Sequence, residues 1–274
     1  MYNDILVASD LSARSERALR RAMALAAQHG ARLTLLHVVD EDLPAAMAQR
    51  MQEEAETDLA RLCASISSQE VAIRVEIADP AEGIARSAGE GGADLLVMGV
   101  HRPRPMLDMF SGTTMERIVR AVTLPVLLVR DPNDHDYAAI LAGIDLSPSC
   151  GAALLAAAAL VPAVTIRTFH AFHIPYRGMI APTGSAEALR PFLKEAQRAL
   201  DEWWETADLP ATCEKPVPEA IGRTTLLMRR MEEHDPDLLV IGAHGRPSFA
   251  PTLLGGFTEE ILRAPPCDVL IVRR

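Results

Sequence analysis

Two glycine-bearing runs of the 274-residue chain have the composition to hold an anion. The first is Gly99-Val100-His101-Arg102-Pro103-Arg104-Pro105-Met106-Leu107-Asp108-Met109-Phe110-Ser111-Gly112-Thr113. The second is Gly242-Ala243-His244-Gly245-Arg246-Pro247-Ser248-Phe249-Ala250-Pro251-Thr252-Leu253-Leu254-Gly255-Gly256. Each follows a short apolar run and ends where a segment of helical period begins. Glycines let backbone N–H groups approach a ligand, and a helix start carries partial positive charge, so a polyphosphate is the ligand such loops fit.

Other chemistry finds little support. There is no GxxxxGK[ST] lysine, no GxSxG elbow and no Cys/His arrangement that spacing alone would make nucleophilic. Cys63, Cys150, Cys213 and Cys267 form no CxxC pair and read as buried free thiols in a reducing compartment. His37 and His170 end matching apolar runs, and His101 and His244 hold matching loop positions; all four read as structural. His170 and His173 are spaced so that a strand points them to opposite faces, which argues against a shared metal. Trp203-Trp204 reads as core or interface packing. The inference is binding rather than efficient turnover.

The elements that must position these loops repeat. Ile5-Leu6-Val7-Ala8-Ser9-Asp10-Leu11-Ser12 returns as Ile140-Leu141-Ala142-Gly143-Ile144-Asp145-Leu146-Ser147, an offset of 140−5=135. Asp94-Leu95-Leu96-Val97-Met98-Gly99 returns as Asp237-Leu238-Leu239-Val240-Ile241-Gly242, and Val126–Arg130 as Val269–Arg273, both at 237−94=143. The second copy thus carries 143−135=8 extra residues, placed at His173 to Gly184, a stretch holding Tyr176 and Arg177 that reads as a surface insertion or a cover over the second site. A polar run, Asp131–Asp136, links the copies, giving domains at 1–131 and 137–274.

Within the first copy, strands are expected at Ile5–Ser9, Arg32–Val39, Ala72–Ile77, Leu95–Gly99 and Val126–Arg130, with helices at Ser15–His29, Ala45–Ser65, Ala81–Gly89 and Thr113–Ala121. Strands apolar on both faces need helices on both sides, which predicts an α/β chain of two tandem doubly wound domains, each with a five-stranded parallel sheet ordered 3-2-1-4-5. Ser12 and Ser147 fall at helix N-caps, each following a strand-end Asp. Asp10, Asp145 and both glycine loops map to the carboxyl edge of the sheet, where such folds bind ligands.

Lys+Arg 27 minus Asp+Glu 37 leaves a formal charge of -10, which opposes nucleic-acid or polybasic membrane binding. Met1–Val7 has no basic n-region, and Gly151–Val161 is cut by Pro162, short of the roughly 20 residues of a membrane span. A cytoplasmic protein is expected, with that segment a buried helix.

The strand-Asp opening, the DLLVMG/DLLVIG fourth strands and the closing PVLLVR and CDVLIVRR resemble the universal stress protein family, in its tandem-domain form, over nearly the whole chain. In ATP-binding members the loop reads G-x2-G-x9-G-[ST]. The first copy keeps Gly99, Gly112 and Thr113 but has Arg102 at the middle glycine, where a positive φ would cost about 1 kcal/mol and the side chain would fill the phosphate volume, the alternative being that Arg102 is itself a charge-assisted phosphate ligand. The second keeps Gly242, Gly245 and Gly255 but ends in Gly256, without the hydroxyl. The second copy is therefore the better site. The resemblance places adenosine contacts on Asp10 and Asp145 and on Val38 and Ala171; the alternative for both aspartates is that they cap the following turn. It also implies ATP or another adenine nucleotide as ligand, with Mg, an internal pseudo-dimer through the fifth strands, and possible homodimers and a protein partner. The other functions weighed are a nucleotide-free interaction scaffold and a slow ATPase.

Overall fold

The computed structural model describes residues 1–100, 113–130, 135–176, 186–243 and 254–273. The first half runs β1 (Asp4–Ser9), α1 (Ala13–His29), β2 (Arg32–Asp40), α2 (Ala45–Ile66), β3 (Ala72–Ala78), α3 (Pro80–Glu90), β4 (Leu95–Gly99), α4 (Thr114–Ala121) and β5 (Val126–Val129). The second runs β6 (Ile140–Gly143), α5 (Pro148–Leu160), β7 (Ile166–Ala171), α6 (Ala186–Thr206), β8 (Pro218–Glu219), α7 (Arg223–His234), β9 (Leu238–Gly242), α8 (Gly256–Arg263) and β10 (Asp268–Val272). Every element expected in the first copy is present within two residues at either end.

All ten strands join one sheet in the order β3-β2-β1-β4-β5-β10-β9-β6-β7-β8. Each half is parallel and ordered 3-2-1-4-5, as expected; the halves meet where β5 and β10 pair antiparallel, Leu127 opposite Leu270. Successive residues of a strand point to opposite faces, and both faces are apolar. Ile5, Val7, Leu95, Val97 and Leu127 face α1, α2 and α5, whereas Leu6, Leu96, Met98, Val126 and Leu128 face α3, α4 and α8. Trp203 and Trp204 pack edge to face on the first of these cores. Cys63, Cys150 and Cys267 are buried, but Cys213 is only half-buried; burial pushes the Cys150 thiol up to about 12.

The longer connection of the second half lies between β7 and α6, residues 172–185, against 41–44 in the first. Its start is anchored, with Ile174 buried against Leu189 in a small separate cluster. The remainder of that expected insertion, 177–184, falls outside the described residues. The segment around Gly151–Val161 is α5, and it is not wholly buried: Leu155 stays exposed while Leu154 and Leu160 face the core. Among the described residues no helix is long and apolar enough to cross a membrane.

Side chains tie the halves together in reciprocal pairs. Arg120 reaches Glu259 at 3.0 Å and Arg263 reaches Glu116 at 3.3 Å, and 259−116 and 263−120 are both 143, the repeat offset. On the other face Tyr2 donates to the Ala156 carbonyl of α5 at 3.1 Å, and its counterpart Tyr137 lies under the Arg21 guanidinium of α1 at 4.3 Å. One contact set breaks this symmetry. Asp268, at the start of β10, accepts from the Tyr137 hydroxyl at 2.6 Å and from the Arg130 amide at 2.7 Å, and it pairs with Arg21 at 3.6 Å. Arg21 also donates to the His135 carbonyl at 2.6 Å. The Arg21 and Asp268 side chains are 4% and 2% exposed, so their charges have left water and are held by one another and by these hydrogen bonds. Burial, with Asp268 beside it, raises the Tyr137 phenol well above its ordinary value.

Candidate functional site

In the second half the chain leaves β6 toward β7 on one side while β9 lies on the other, so the strand order reverses at the carboxyl end of β6. A cleft opens there. Asp145 and Gly143 line it from the end of β6, Phe169 and Ala171 from β7, Ile241 and Gly242 from β9, Gly255, Phe257 and Thr258 from the start of α8, and Arg223 from the start of α7. Four residues expected at the site, Asp145, Ala171, Gly242 and Gly255, are thus brought to one place from positions up to 110 apart (255−145). Gly256 is the first residue of α8 and not among those lining the cleft; a Cβ there would meet nothing within 4 Å. Gly245 lies outside the described residues, as do His244, Arg102, His101 and Gly112.

The turn that presents Asp145 is built the same way in both halves. Ser147 caps α5 by accepting from the Cys150 amide, and Ser12 caps α1 by accepting from the amides of Arg14 and Ser15, as expected. The Asp145 carboxylate accepts from the Ser147 amide at 3.0 Å. Asp10 accepts from the Ser12 amide at 3.1 Å and the Ser12 hydroxyl at 2.5 Å. Partial burial opposes ionisation of Asp10, but these hydrogen bonds outweigh it and hold the carboxyl below its ordinary value. Both aspartates therefore do cap the turn, and in the second half the carboxylate also faces the cleft. From the neighbouring strand His170 Nδ1 lies 2.8 Å from the Ile144 carbonyl, and His37 Nδ1 lies 2.8 Å from that of Ser9. A carbonyl only accepts, so each Nδ1 carries the proton, and each imidazole fixes the peptide just before its Asp.

Between each Asp and Ser the backbone is left-handed, at Leu11 (φ 61) and Leu146 (φ 63). Leucine is a costly residue in that region. Leu11 is 44% exposed, so its side chain contributes modestly to packing. Stability is expected to fall in the order Leu11→Gly, wild type, Leu11→Val, with about 1 kcal/mol between the last two, because the β-branched side chain tolerates this region worst. Urea midpoints check it, and a Leu11→Val midpoint equal to wild type would refute strain at this turn.

Gly99 and Gly242 have a reason to be glycine besides a ligand. A Cβ on Gly242 would lie 2.8 Å from the Cys150 amide nitrogen, and one on Gly99 would lie 2.6 Å from the Arg14 carbonyl oxygen. The strand end presses against the first turn of the helix beside it, and no side chain fits between. The first-half residues are arranged differently from those of the second. Thr113 caps α4 in a reciprocal box with Glu116, so its hydroxyl accepts from the Glu116 amide. Val38 packs on Gly83 of α3.

Sequence reasoning missed Arg223, Phe169, Phe257 and Thr258. The repeat offset places Pro80 opposite Arg223, Thr114 opposite Phe257 and Met115 opposite Thr258, so comparing the copies hid them. One local signal was present for Arg223. It opens a helix whose first turn holds no acid, where the helix field disfavours a cation.

A ten-stranded, doubly wound sheet in two like halves, with a cleft at the order reversal, defines an open-sheet α/β protein. The Universal stress protein family model matches residues 1–130 and 136–273, and the chain belongs to that family in its tandem form. A universal stress protein of Mycolicibacterium smegmatis is 26% identical, the match covering 98% of this chain and 96% of that one. A single-copy relative of Thermus aquaticus is 33% identical over 138 residues, which is 47% of this chain and all of the relative. The crystal structure of a universal stress protein from Archaeoglobus fulgidus shares the fold over 99% of this chain and 98% of that one, with a TM-score of 0.68 at 15% identity.

Proposed function

We propose that the chain binds an adenine nucleotide, ATP, in the cleft of its second half and works as a nucleotide-responsive regulator. The observation that carries this reading is the convergence of Asp145, Ala171, Gly242 and Gly255 on one cleft, the positions that correspond to nucleotide contacts in ATP-binding members of the family. Asp145 would accept from the sugar or base, and the backbone N–H groups that open α8 from Gly256 onward would face the phosphates, which Mg would accompany; the Gly255 N–H itself donates to the Ala243 carbonyl at 3.3 Å. The first half serves as the structural partner, since the Thr113 hydroxyl is held in its own capping box and Asp10 accepts from the Ser12 hydroxyl as well as the Ser12 amide, whereas Asp145 accepts from the Ser147 amide. Ligand that binds only the folded state stabilises it and biases the surface a protein partner reads, with no hydrolysis required.

The test is to denature the purified protein, identify the released small molecules by mass spectrometry, and titrate the refolded or ligand-stripped protein with ATP in a calorimeter. Released ATP or AMP, or a saturable ATP isotherm, is the expected result. A clean supernatant together with a flat isotherm would refute nucleotide binding and leave the interaction scaffold.

A further inference from the structure

We propose that Arg223 is the phosphate-gripping, specificity-determining cation of the second-half cleft, the group that makes it select a nucleotide over the bare nucleoside. This rests on the cleft being a nucleotide site. Arg223 lines the cleft, and its guanidinium lies 5.3 Å from the centre of the Phe257 ring. Phe257 is in the first turn of α8, two residues after Gly255, so the cation stands beside the part of the cleft where backbone N–H groups begin a helix. Stacking on an aromatic face orients a guanidinium and leaves its N–H edge free for a planar or tetrahedral oxyanion. No carboxylate pairs with Arg223 among the described residues.

The first half shows what the same corner looks like when it is closed. There Pro80 stands in place of Arg223, and Asp79 caps α3 through the amides of Ala81 and Glu82. Arg117 forks onto the Asp79 carboxylate at 3.0 and 3.1 Å. In the second half the capping Asp is Gly222, the forking Arg is Glu260, and the Pro is Arg223. Glu260 is engaged by the Thr224 hydroxyl at 2.9 Å. The corner has exchanged a carboxylate paired with an arginine for an exposed cation that lines the cleft and a carboxylate, Glu260, that bonds Thr224 instead. The position is one where a helix disfavours positive charge and where the first turn supplies no acid, so the helix that carries the arginine gives no reason for it.

Calorimetric titration of wild type, Arg223→Gln and Arg223→Lys with ATP, AMP and adenosine tests this. Arg223 is exposed, and Arg223→Gln is expected to melt with wild type. It should weaken ATP at least tenfold and leave adenosine within twofold, with Arg223→Lys between the two for ATP because a lysine keeps the charge and loses the fork. The loss belongs to the second half alone, since Pro80 offers nothing equivalent. ATP affinity unchanged in Arg223→Gln, or adenosine weakened as much as ATP, would overturn the proposal while leaving nucleotide binding intact. Wild type taking up neither ATP nor adenosine would instead overturn the nucleotide reading beneath it.

Discussion

Asp268→Ala is expected to destabilise the protein by about 3–5 kcal/mol, because it strips a carboxylate from a charge that has already left water. Among the described residues the Arg21 guanidinium would keep the His135 carbonyl and the Tyr137 ring, neither of which carries negative charge, and the Tyr137 hydroxyl and the Arg130 amide would both lose the Asp268 carboxylate. Such a loss does not measure what the pair is worth. Replacing both partners, as Arg21→Met with Asp268→Leu, removes the buried charges along with their desolvation cost and should recover part of the stability, the remaining loss being the hydrogen bonds of Tyr137, the Arg130 amide and the His135 carbonyl. Urea unfolding of the two single variants and the double gives the coupling directly. If Asp268→Ala unfolds within 1 kcal/mol of wild type, the buried pair has no part in holding the halves together.

Much of this architecture is legible in the order of the amino acids. The strands of the first half stand out because they are short runs apolar on both faces, and α1 because an N-cap serine precedes a helical period, whereas the capping role of Thr113 shows only in the structure. The β5–β10 pairing came from family resemblance, and the buried, antiparallel Val126–Val129 and Asp268–Val272 agree with it. The convergence of Asp145, Gly242 and Gly255 was legible for a topological reason, since each sits at a strand or loop end on the same edge of a parallel sheet, whereas Ala171 came from the family resemblance. What stayed hidden was whatever the repeat does not repeat. Arg223 and Phe257 meet only because α7 and α8 lie side by side, and neither residue has a like counterpart in the first copy. Asp268 escaped for the same reason, since the offset sets it opposite Pro125. The double duty of Gly99 and Gly242 was hidden too, because sequence does not report how closely a helix approaches a strand end.

That close approach makes the second large prediction. In Gly242→Ala the new methyl would lie 2.8 Å from the Cys150 nitrogen and 2.9 Å from the Ser149 carbonyl carbon, and both are backbone atoms that cannot turn aside. The first turn of α5 must retreat, at a cost of about 1–3 kcal/mol. This turn carries the Ser147 cap that in turn holds Asp145, so the displacement reaches the cleft, and ATP uptake should fall along with stability. Gly256→Ala supplies the contrast, since its methyl enters open space, and its unfolding midpoint is expected to stay within about 0.5 kcal/mol of wild type. Chemical denaturation of both proteins decides the matter. Equal midpoints for the two alanine variants would mean that steric closeness is not what keeps position 242 free of a side chain.

The lone Arg21–Asp268 contact has a consequence for how such a molecule can change over generations. When two identical subunits meet across an axis, every mutation arrives twice, and an innovation that helps one side is imposed on the other. Here both partners are encoded in a single reading, so one side can acquire a carboxylate while its mirror position becomes proline. Selection can then shape one half as the sensor and the other as its mount, without either compromising the other.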